Sequence, residues 1–453
     1  MADIQKWMTD PRLLGKTFGD ESWATWRTLL GGFDGLALSE DETEVFLSLT
    51  QREVPERALD ELWMVIGRRG GKSNSAALLA VVAGTMFDRQ ALLAPGEVAT
   101  VMVIAEDRRQ ARSVYRYISG LLKSCPMLEK MIVREGAEGI ELNNRVCIEI
   151  HTASFRAVRG YTLLMAILDE VAMWQSEGAN PDAEIIAALR PGLGTLGGRL
   201  VAISSPYARR GVLWDTYKRY FGKDGSILVA QAPTNVLNPT FPQSTIDAAI
   251  KHDEPRARAE YLAEFRTDVE TFVAREVVEA CVCPDRHELP PIGSTRYSAF
   301  VDPSGGSSDS MTLAIAHREH DTVVLDAVRE RKPPFSPARV VAEYAQLLRR
   351  YRIREVTGDR YAGEWPREQF RNAGIQYKTS DRTKSDLYVA LLPMLNSQQV
   401  ELLEIPALTN QIVSLERRTA RGGRDSIDHP PGGHDDVANA VAGVLANTAL
   451  TTT

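Results

Sequence analysis

The chain has 453 residues, 44% hydrophobic and 25% charged, with a formal net charge of -7 and a pI near 5.7. That length is a prior for two or three domains, and the composition excludes a disordered or fibrous chain. No apolar run is long enough to span a bilayer, and the acidic balance argues against coating nucleic acid by bulk positive charge, though not against a local groove. Four cysteines are few. Cys281 and Cys283 have no second Cys or His pair nearby, so reduced thiols are expected rather than a zinc site. Met1-Ala2-Asp3-Ile4-Gln5 has neither the basic nor the apolar region of a secretory signal, and no secretion is expected.

In chain order, Trp23, Trp26, Leu29 and Leu30 recur at helical spacing and predict a helical lead-in over 1–57. Leu62 to Ile66 reads as a strand, followed by a glycine loop and a small-residue helix from Asn74 to Ala83. Val98 to Ala105 is a continuous apolar run of buried-strand length. Asp107 to Leu122 predicts a helix and Arg145 to His151 a strand. Leu163 to Leu168 and Arg199 to Ser204 are two further buried strands. Strands alternating with helices predict a mostly parallel sheet with helices on both faces, here over 58–237.

From 238 to 291 the character changes. Thr245 to Lys251 and Pro255 to Phe265 predict charged helices, and Pro284, Pro290, Pro291 and Gly293 mark a break. This stretch reads as a linker subdomain. Over 292–453 a second α/β pattern begins. Arg296 to Val301, Met311 to Ala316 and Thr322 to Val328 predict an antiparallel meander. A helix (Pro337 to Tyr351), a strand (Arg354 to Thr357), a helix (Lys384 to Leu395), a strand (Val400 to Leu403) and a helix (Asp435 to Leu445) follow. Three strands, then helix, strand, helix, strand, helix is the order of an RNase H-like fold.

Gly67-Arg68-Arg69-Gly70-Gly71-Lys72-Ser73 follows the first strand. Glycines let backbone N–H groups turn onto phosphate oxygens. Lysine neutralises the β/γ-phosphates, the Ser hydroxyl holds Mg²⁺, and the helix that follows adds its dipole. The usual pattern has Gly where Ile66 stands. A plain glycine turn is the competing reading, and the flanking strand and helix weigh against it. Asp169-Glu170 ends a buried strand. Asp169 is thereby set beside a nucleotide-bound Mg²⁺, and Glu170 to orient and deprotonate a water. Alone, that pair would read as a capping acid. Arg156 and Arg159 are candidates for stabilising transition-state charge, with a surface role equally open. Ser204-Ser205-Pro206 ends the next strand and could sense the γ-phosphate.

Asp302, Asp359 and the pair Asp435-Asp436 each stand at a strand end or helix start. Two-metal nucleases hold Mg²⁺ or Mn²⁺ on such clustered carboxylates, because hard cations prefer oxygen ligands. Each Asp alone would be a turn or cap residue, Asp435 a plausible N-cap. Asp309 and His434 are weaker candidates. Arg417, Arg418, Arg421 and Arg424 lie in a glycine-containing stretch suited to phosphate contact or to a solvated loop.

At these residues the chain resembles the large terminase subunit of tailed bacteriophages, the DNA-packaging motor. The resemblance runs from the glycine loop to the final helix. It rests on order: an arginine-rich Walker A without its first glycine, a Walker B ending Asp-Glu, a Ser-Ser-Pro coupling motif, then Asp, Asp and a His-Asp-Asp helix start. It implies an N-terminal P-loop (RecA/ASCE-like) parallel-sheet ATPase domain followed by an RNase H-like α/β nuclease domain. It implies that Gly67, Arg68, Arg69, Gly70, Gly71, Lys72 and Ser73 bind ATP, and that Ser73 and Asp169 hold Mg²⁺. Glu170 would be the catalytic base and Arg159 an arginine finger for a neighbouring subunit. Ser204 and Ser205 would belong to the coupling motif. Asp302, Asp359 and Asp436, with Asp435 as alternate, would bind the nuclease metals. Gln51 and Arg52 would contact adenine. The implied partners are double-stranded DNA, a small terminase subunit, and the portal protein of the procapsid, on which the chain forms a homo-oligomeric ring. The implied setting is the host cell cytoplasm, without a membrane partner. Two rivals remain: a helicase or repair translocase with an attached nuclease, which would need a second motor domain, and an RNase H-like recombinase, which leaves Lys72 and Asp169-Glu170 unexplained.

Overall fold

Leu62 to Ile66 is apolar on both faces, as a strand buried in a parallel sheet must be, and all five residues are buried. In the computed structural model they belong to a strand of an eight-stranded sheet, one place in from its edge. The described residues are 3–154, 157–174, 181–293, 295–306, 309–359, 365–419, 425–430 and 433–450. Arg156, Arg421, Arg424 and the last three threonines lie outside them. The chain divides into two compact units, Met1–Thr267 and Asp268–Thr453, so the stretch expected as a linker is shared between them.

The strands of the first unit are β1 (Glu61–Ile66), β2 (Ala99–Ala105), β3 (Ile132–Glu135), β4 (Gly139–Leu142), β5 (Val146–Thr152), β6 (Thr162–Asp169), β7 (Arg199–Ser204) and β8 (Ile227–Ala232). Their order is β3-β4-β5-β2-β6-β7-β1-β8. All pairings from β5 to β8 are parallel, and only the β3–β4–β5 edge is antiparallel. β7 stands between β1 and β6. The sequence reading has no counterpart for β8, whose apolar run Ile227 to Ala230 is short.

The lead-in is part of this unit. Ser39 and Glu42 close a capping box at the start of Glu40–Thr50, which satisfies two orphan N–H groups. Trp26, Leu29, Phe33 and Phe46 share one core with Leu62, Met64, Ile66 and Leu78. Truncating one such aromatic costs about 3–5 kcal/mol, so these helices are anchored.

The second unit contains β9 (Val269–Thr271), β10 (Val282–Cys283), β11 (Tyr297–Asp302), β12 (Met311–Glu319), β13 (Thr322–Arg331), β14 (Glu355–Gly358), β15 (Gln376–Thr379), β16 (Val400–Leu403), β17 (Glu416–Thr419) and β18 (Asp425–Asp428). The main sheet runs β10-β16-β13-β12-β11-β14-β15, with a small β18-β17-β9 sheet beside it. β11, β12 and β13 form the expected antiparallel meander. β14 joins β11 and β15 joins β14, both parallel. Mixed α/β architecture with parallel sheet pairing therefore holds in both units. The fifth strand on the β14 side is β15, not Val400–Leu403 as expected. β16 pairs with β13 on the opposite side of the sheet, with β10 outside it. Its run is largely apolar, whereas β15 alternates polar residues at a sheet edge and carries a weaker signal. The final helix, Asp436–Leu450, is almost wholly buried and packs with Phe300, Ala314 and Leu325. Among the described residues no helix is long and apolar enough to cross a membrane.

Candidate functional site

The glycine loop turns at the end of β1, and its geometry follows from what holds its carbonyls. Thr234 Oγ1 donates to the Arg68 carbonyl at 2.8 Å and Asn238 Nδ2 to that of Arg69 at 2.9 Å. The buried Trp26 Nε1 donates to the Gly70 carbonyl at 2.9 Å. Three successive carbonyls are thus taken by side chains. Gly67 N–H and Arg68 N–H are used on the Ala232 and Glu260 carbonyls, and Gly70 N–H on Gly67. Among the described residues the N–H groups of Arg69 and Gly71 meet no acceptor. Orphan donors at a helix start are what an anion requires. Gly71 has φ 95°, and a Cβ there would press on the Trp26 indole nitrogen.

Lys72 begins the helix Lys72–Thr85 and is buried. Its Nζ donates to Ser205 Oγ at 2.6 Å and to the Ile66 carbonyl at 3.2 Å. It also lies 3.4 Å from Glu170 Oε1. Register explains this convergence. Val65 is paired with Ser204 and Asp169 with Ile203, so β1, β7 and β6 end at one edge. Glu170 holds a left-handed backbone, φ 49°, uncommon for a residue with a Cβ. Its Oε2 accepts from Ser204 Oγ at 3.2 Å and Ser205 N–H at 3.1 Å. Burial first, then the charge of Glu170, pushes the Asp169 carboxyl up to about 7, against the pull of Lys72. A cavity of about 540 Å³ faces this loop. Ser73, Glu170 and the exposed Arg68 and Arg69 line it, with Trp23, Tyr117 and Phe241 as aromatic walls. The donor set fits a triphosphate with a hard divalent cation: orphan N–H groups and an ammonium for the anion, the Ser73 hydroxyl and Asp169 carboxylate for the metal.

Two expected contributors are elsewhere. Arg52 donates to the Gly225 and Ile227 carbonyls and pairs with Asp224. That is where β8 begins, whereas the loop sits where β1 ends, so the adenine contact expected of Gln51 and Arg52 is corrected. Buried Arg52 anchors the β8 edge instead. Arg159 is exposed three residues before β6 starts. The eight residues of β6 put it roughly 25 Å from Asp169, outside the cavity of its own chain.

In the second unit, Asp302 ends β11, Asp359 follows β14, and Asp435 and Asp436 begin the final helix. Asn439 joins the first two: its Nδ2 lies 2.9 Å from Asp302 Oδ2 and 3.4 Å from Asp359 Oδ2. The Asn439 Oδ1 is buried without a partner. Burial, and then the charges of Asp436, Asp359 and Asp435, push the Asp302 carboxyl well above the usual range despite the Asn439 bond. Burial likewise raises Asp436, against the Ser310 N–H that donates to it at 3.3 Å. Crowded carboxylates that resist ionising together are what a divalent cation relieves, and their hard oxygens suit Mg²⁺ or Mn²⁺.

Asp435 points into a different set. It accepts from Tyr388 OH at 2.8 Å and pairs with Lys384 Nζ at 3.0 Å. Asp428, His429 and Asp435 offer ligand atoms within 4.8 Å of one another, but Lys384 Nζ also lies 2.6 Å from Asp428 Oδ1. The ammonium already takes the place of a cation there. Burial works against that charge, yet Asp435 and Asp428 hold Lys384 above its ordinary value. Asp309 stands near Asp436 and raises it, while His434 lowers it.

The sequence reading missed Trp26, Thr234, Asn238, Lys384, Tyr388 and Asn439. Only Asn439 left a signal: it lies three residues after Asp436 and four after Asp435, on the same helix face.

No protein-family model matches the chain, and no curated protein does. Solved structures do. The large terminase of bacteriophage HK97 is similar at 18% identity over 91% of this chain and 95% of that one, with a TM-score of 0.38. The large terminase of a thermophilic bacteriophage, in complex with ADP, is similar at 11% identity, over 87% of this chain and 95% of that one, TM-score 0.39. The large terminase nuclease of the thermophilic phage G20c with bound magnesium is similar at 16% identity, over 38% and 94%, TM-score 0.33.

Proposed function

We propose that the chain is a large terminase: a motor that hydrolyses ATP to drive double-stranded DNA into a procapsid, and a metal-dependent endonuclease that cuts the concatemer. The observation that carries this reading is the coexistence of two constellations on two sheets. One joins Lys72, Glu170 and Ser205 around a glycine loop. The other joins Asp302 and Asp359 through Asn439, with Asp436 about one turn earlier on the same helix.

In the first site, Arg69 and Gly71 N–H groups and Lys72 receive the phosphates, while Ser73 and Asp169 hold Mg²⁺. Glu170 takes the proton of the attacking water. Ser205, which touches both Glu170 and Lys72, and Ser204, which touches Glu170, report loss of the γ-phosphate along β7. Arg159 acts on a neighbouring subunit in the ring. In the second site, Asp302, Asp359 and Asp436 hold Mg²⁺ or Mn²⁺, and Asn439 fixes the first two carboxylates. Asp435 is held by Lys384 and Tyr388 and supports the helix start. When bound, the metal activates water and stabilises the leaving oxygen. Double-stranded DNA, a small terminase subunit and the portal are the partners, in the host cytoplasm.

Displacement of a third strand from a DNA triplex tests the motor. ATP-dependent displacement without separation of the duplex strands supports a packaging motor. Strand separation would favour the helicase reading, and neither activity would remove translocation from the account.

A further inference from the structure

We infer that a basic groove beside the final helix is the track on which a DNA backbone is held as it reaches the cutting site; this rests on the nuclease reading above. The groove has a volume of about 710 Å³. Arg296, Arg352, Arg354, Lys378 and Arg382 line it, against the acids Glu355 and Asp381. Among the described residues, Arg296, Arg354, Lys378 and Arg382 pair with no carboxylate. Arg352 spends one N–H on the Gly293 carbonyl. In a chain of net charge -7, a cluster of unneutralised cations in one concavity is a local exception, and its complement is a polyanion.

Strand alternation places the groove relative to the carboxylates. Successive side chains of a strand point to opposite faces. Ser298 and Asp302 are therefore on one face of β11, and Thr357 and Asp359 follow the same parity on β14. Thr357 is the parallel partner of Phe300 and of Lys378, so Lys378 shares that face. Phe300 also packs against Gly443 of the final helix, so this is the helix-covered face. Groove and carboxylates thus flank one helix on one face. Asn439 stands at the carboxylate end, and Asn447 lines the groove. Eight residues of helix separate them by about 12 Å, roughly three to four base-pair steps of duplex. At the other margin Ser380, a groove residue, donates its N–H to the Gly358 carbonyl next to Asp359. The track leads directly to the cluster.

The test is equilibrium binding of a duplex oligonucleotide in EDTA, at several salt concentrations, to wild type and to Arg354→Ala/Lys378→Ala. Plasmid cutting with Mg²⁺ or Mn²⁺ and DNA-free ATP turnover are measured in parallel. Each lost phosphate contact reduces the slope of log affinity against log salt by about 0.9. The double variant is expected to lose about two in slope and to bind roughly 10- to 100-fold more weakly near 0.1 M salt, with ATP turnover unchanged. If the double variant fails to fold, Lys378→Gln is expected to give about half the slope change. Unchanged affinity and slope, in a chain whose wild type binds and cuts DNA, would overturn the groove and leave the nuclease reading standing. A groove that captured polyglutamate through Lys378, with duplex affinity unchanged, would serve an acidic protein and would also overturn it. A wild type that neither bound nor cut duplex would instead overturn the reading on which the groove rests.

Discussion

Lys72 Nζ lies 3.4 Å from Glu170 Oε1, so the cation proposed to receive phosphate is paired with the carboxylate proposed to take the proton of water. On the proposed reading a bound γ-phosphate would compete with Glu170 for that ammonium and would free the carboxylate to act as base. Glu170→Gln removes the competing charge. The variant is expected to lose about 10²- to 10⁴-fold in ATP turnover while binding nucleotide as tightly as wild type or more so. Turnover and nucleotide titration on the same preparation check this; near-normal hydrolysis would sink the assignment of Glu170.

Asp169 gives a second prediction, on stability. Its carboxyl is raised to about 7, first by burial. A raised carboxyl binds its proton more tightly folded than unfolded. Its favourable contribution is present below the unfolded value near 4, and is lost as pH rises through about 7. Asp169→Asn, which carries no charge, is therefore expected to be more stable than wild type at pH 8 by about 1–4 kcal/mol, with no advantage near pH 4. Thermal melts without metal across that range check it. The same variant is expected to lose ATP turnover, a gain of stability at the cost of function.

The third concerns Asn439, whose amide bridges Asp302 and Asp359. Asn439→Ala leaves both carboxylates without their shared donor. Plasmid cutting is expected to fall about 10- to 100-fold, as on loss of an outer-shell partner, with ATP turnover unchanged and the metal dependence shifted to higher concentration. Cutting at the wild-type metal concentration would show that Asn439 has only a packing role.

A fourth lies in the second sheet. His317 Nδ1 meets both Asp326 oxygens, at 2.9 and 2.8 Å, between β12 and β13. The Asp326 bond raises the His317 value despite burial, and burial raises Asp326 in turn. The raised His317 contributes stability below its ordinary 6.5, lost as pH rises through its higher folded value. Asp326→Asn is expected to destabilise by about 3 kcal/mol, more at pH 6 than at pH 9. Denaturant unfolding at the two values decides; an equal loss at both would mean the pair is not charged.

What the sequence made legible follows from where the chemistry sits. Asp169 and Glu170 close a strand whose interior, Leu163 to Leu168, is wholly apolar, and Lys72 follows the apolar run Leu62 to Ile66 across a glycine loop, so run and charge stand out together. Asp302 ends β11 behind the apolar Ala299 to Val301, and Asp359 follows the short, mixed β14. What held those residues in place was not legible. Trp26 is 44 positions from the Gly70 carbonyl it caps, and no local pattern predicts that contact. Asn439 carries only the faint signal of its spacing from Asp435 and Asp436; as a single amide in an apolar helix it otherwise reads as core. The adenine contact of Arg52 rests on the family resemblance alone; the register of β1 with β8 puts this residue at the far end of the strand. β15 was displaced by β16 because a polar edge strand has little periodicity to read.

Plasmid cleavage with Mg²⁺ or Mn²⁺ by wild type and Asp302→Ala, with ATP turnover of both followed alongside, decides whether the chain carries two independent active sites. Metal-dependent cutting is expected of the wild type and is expected to be lost in the variant while its ATP turnover stays intact, because the two sites belong to separate sheets. A wild type that cuts nothing with either metal would contradict the second site outright and leave a nucleotide-binding chain without a nuclease.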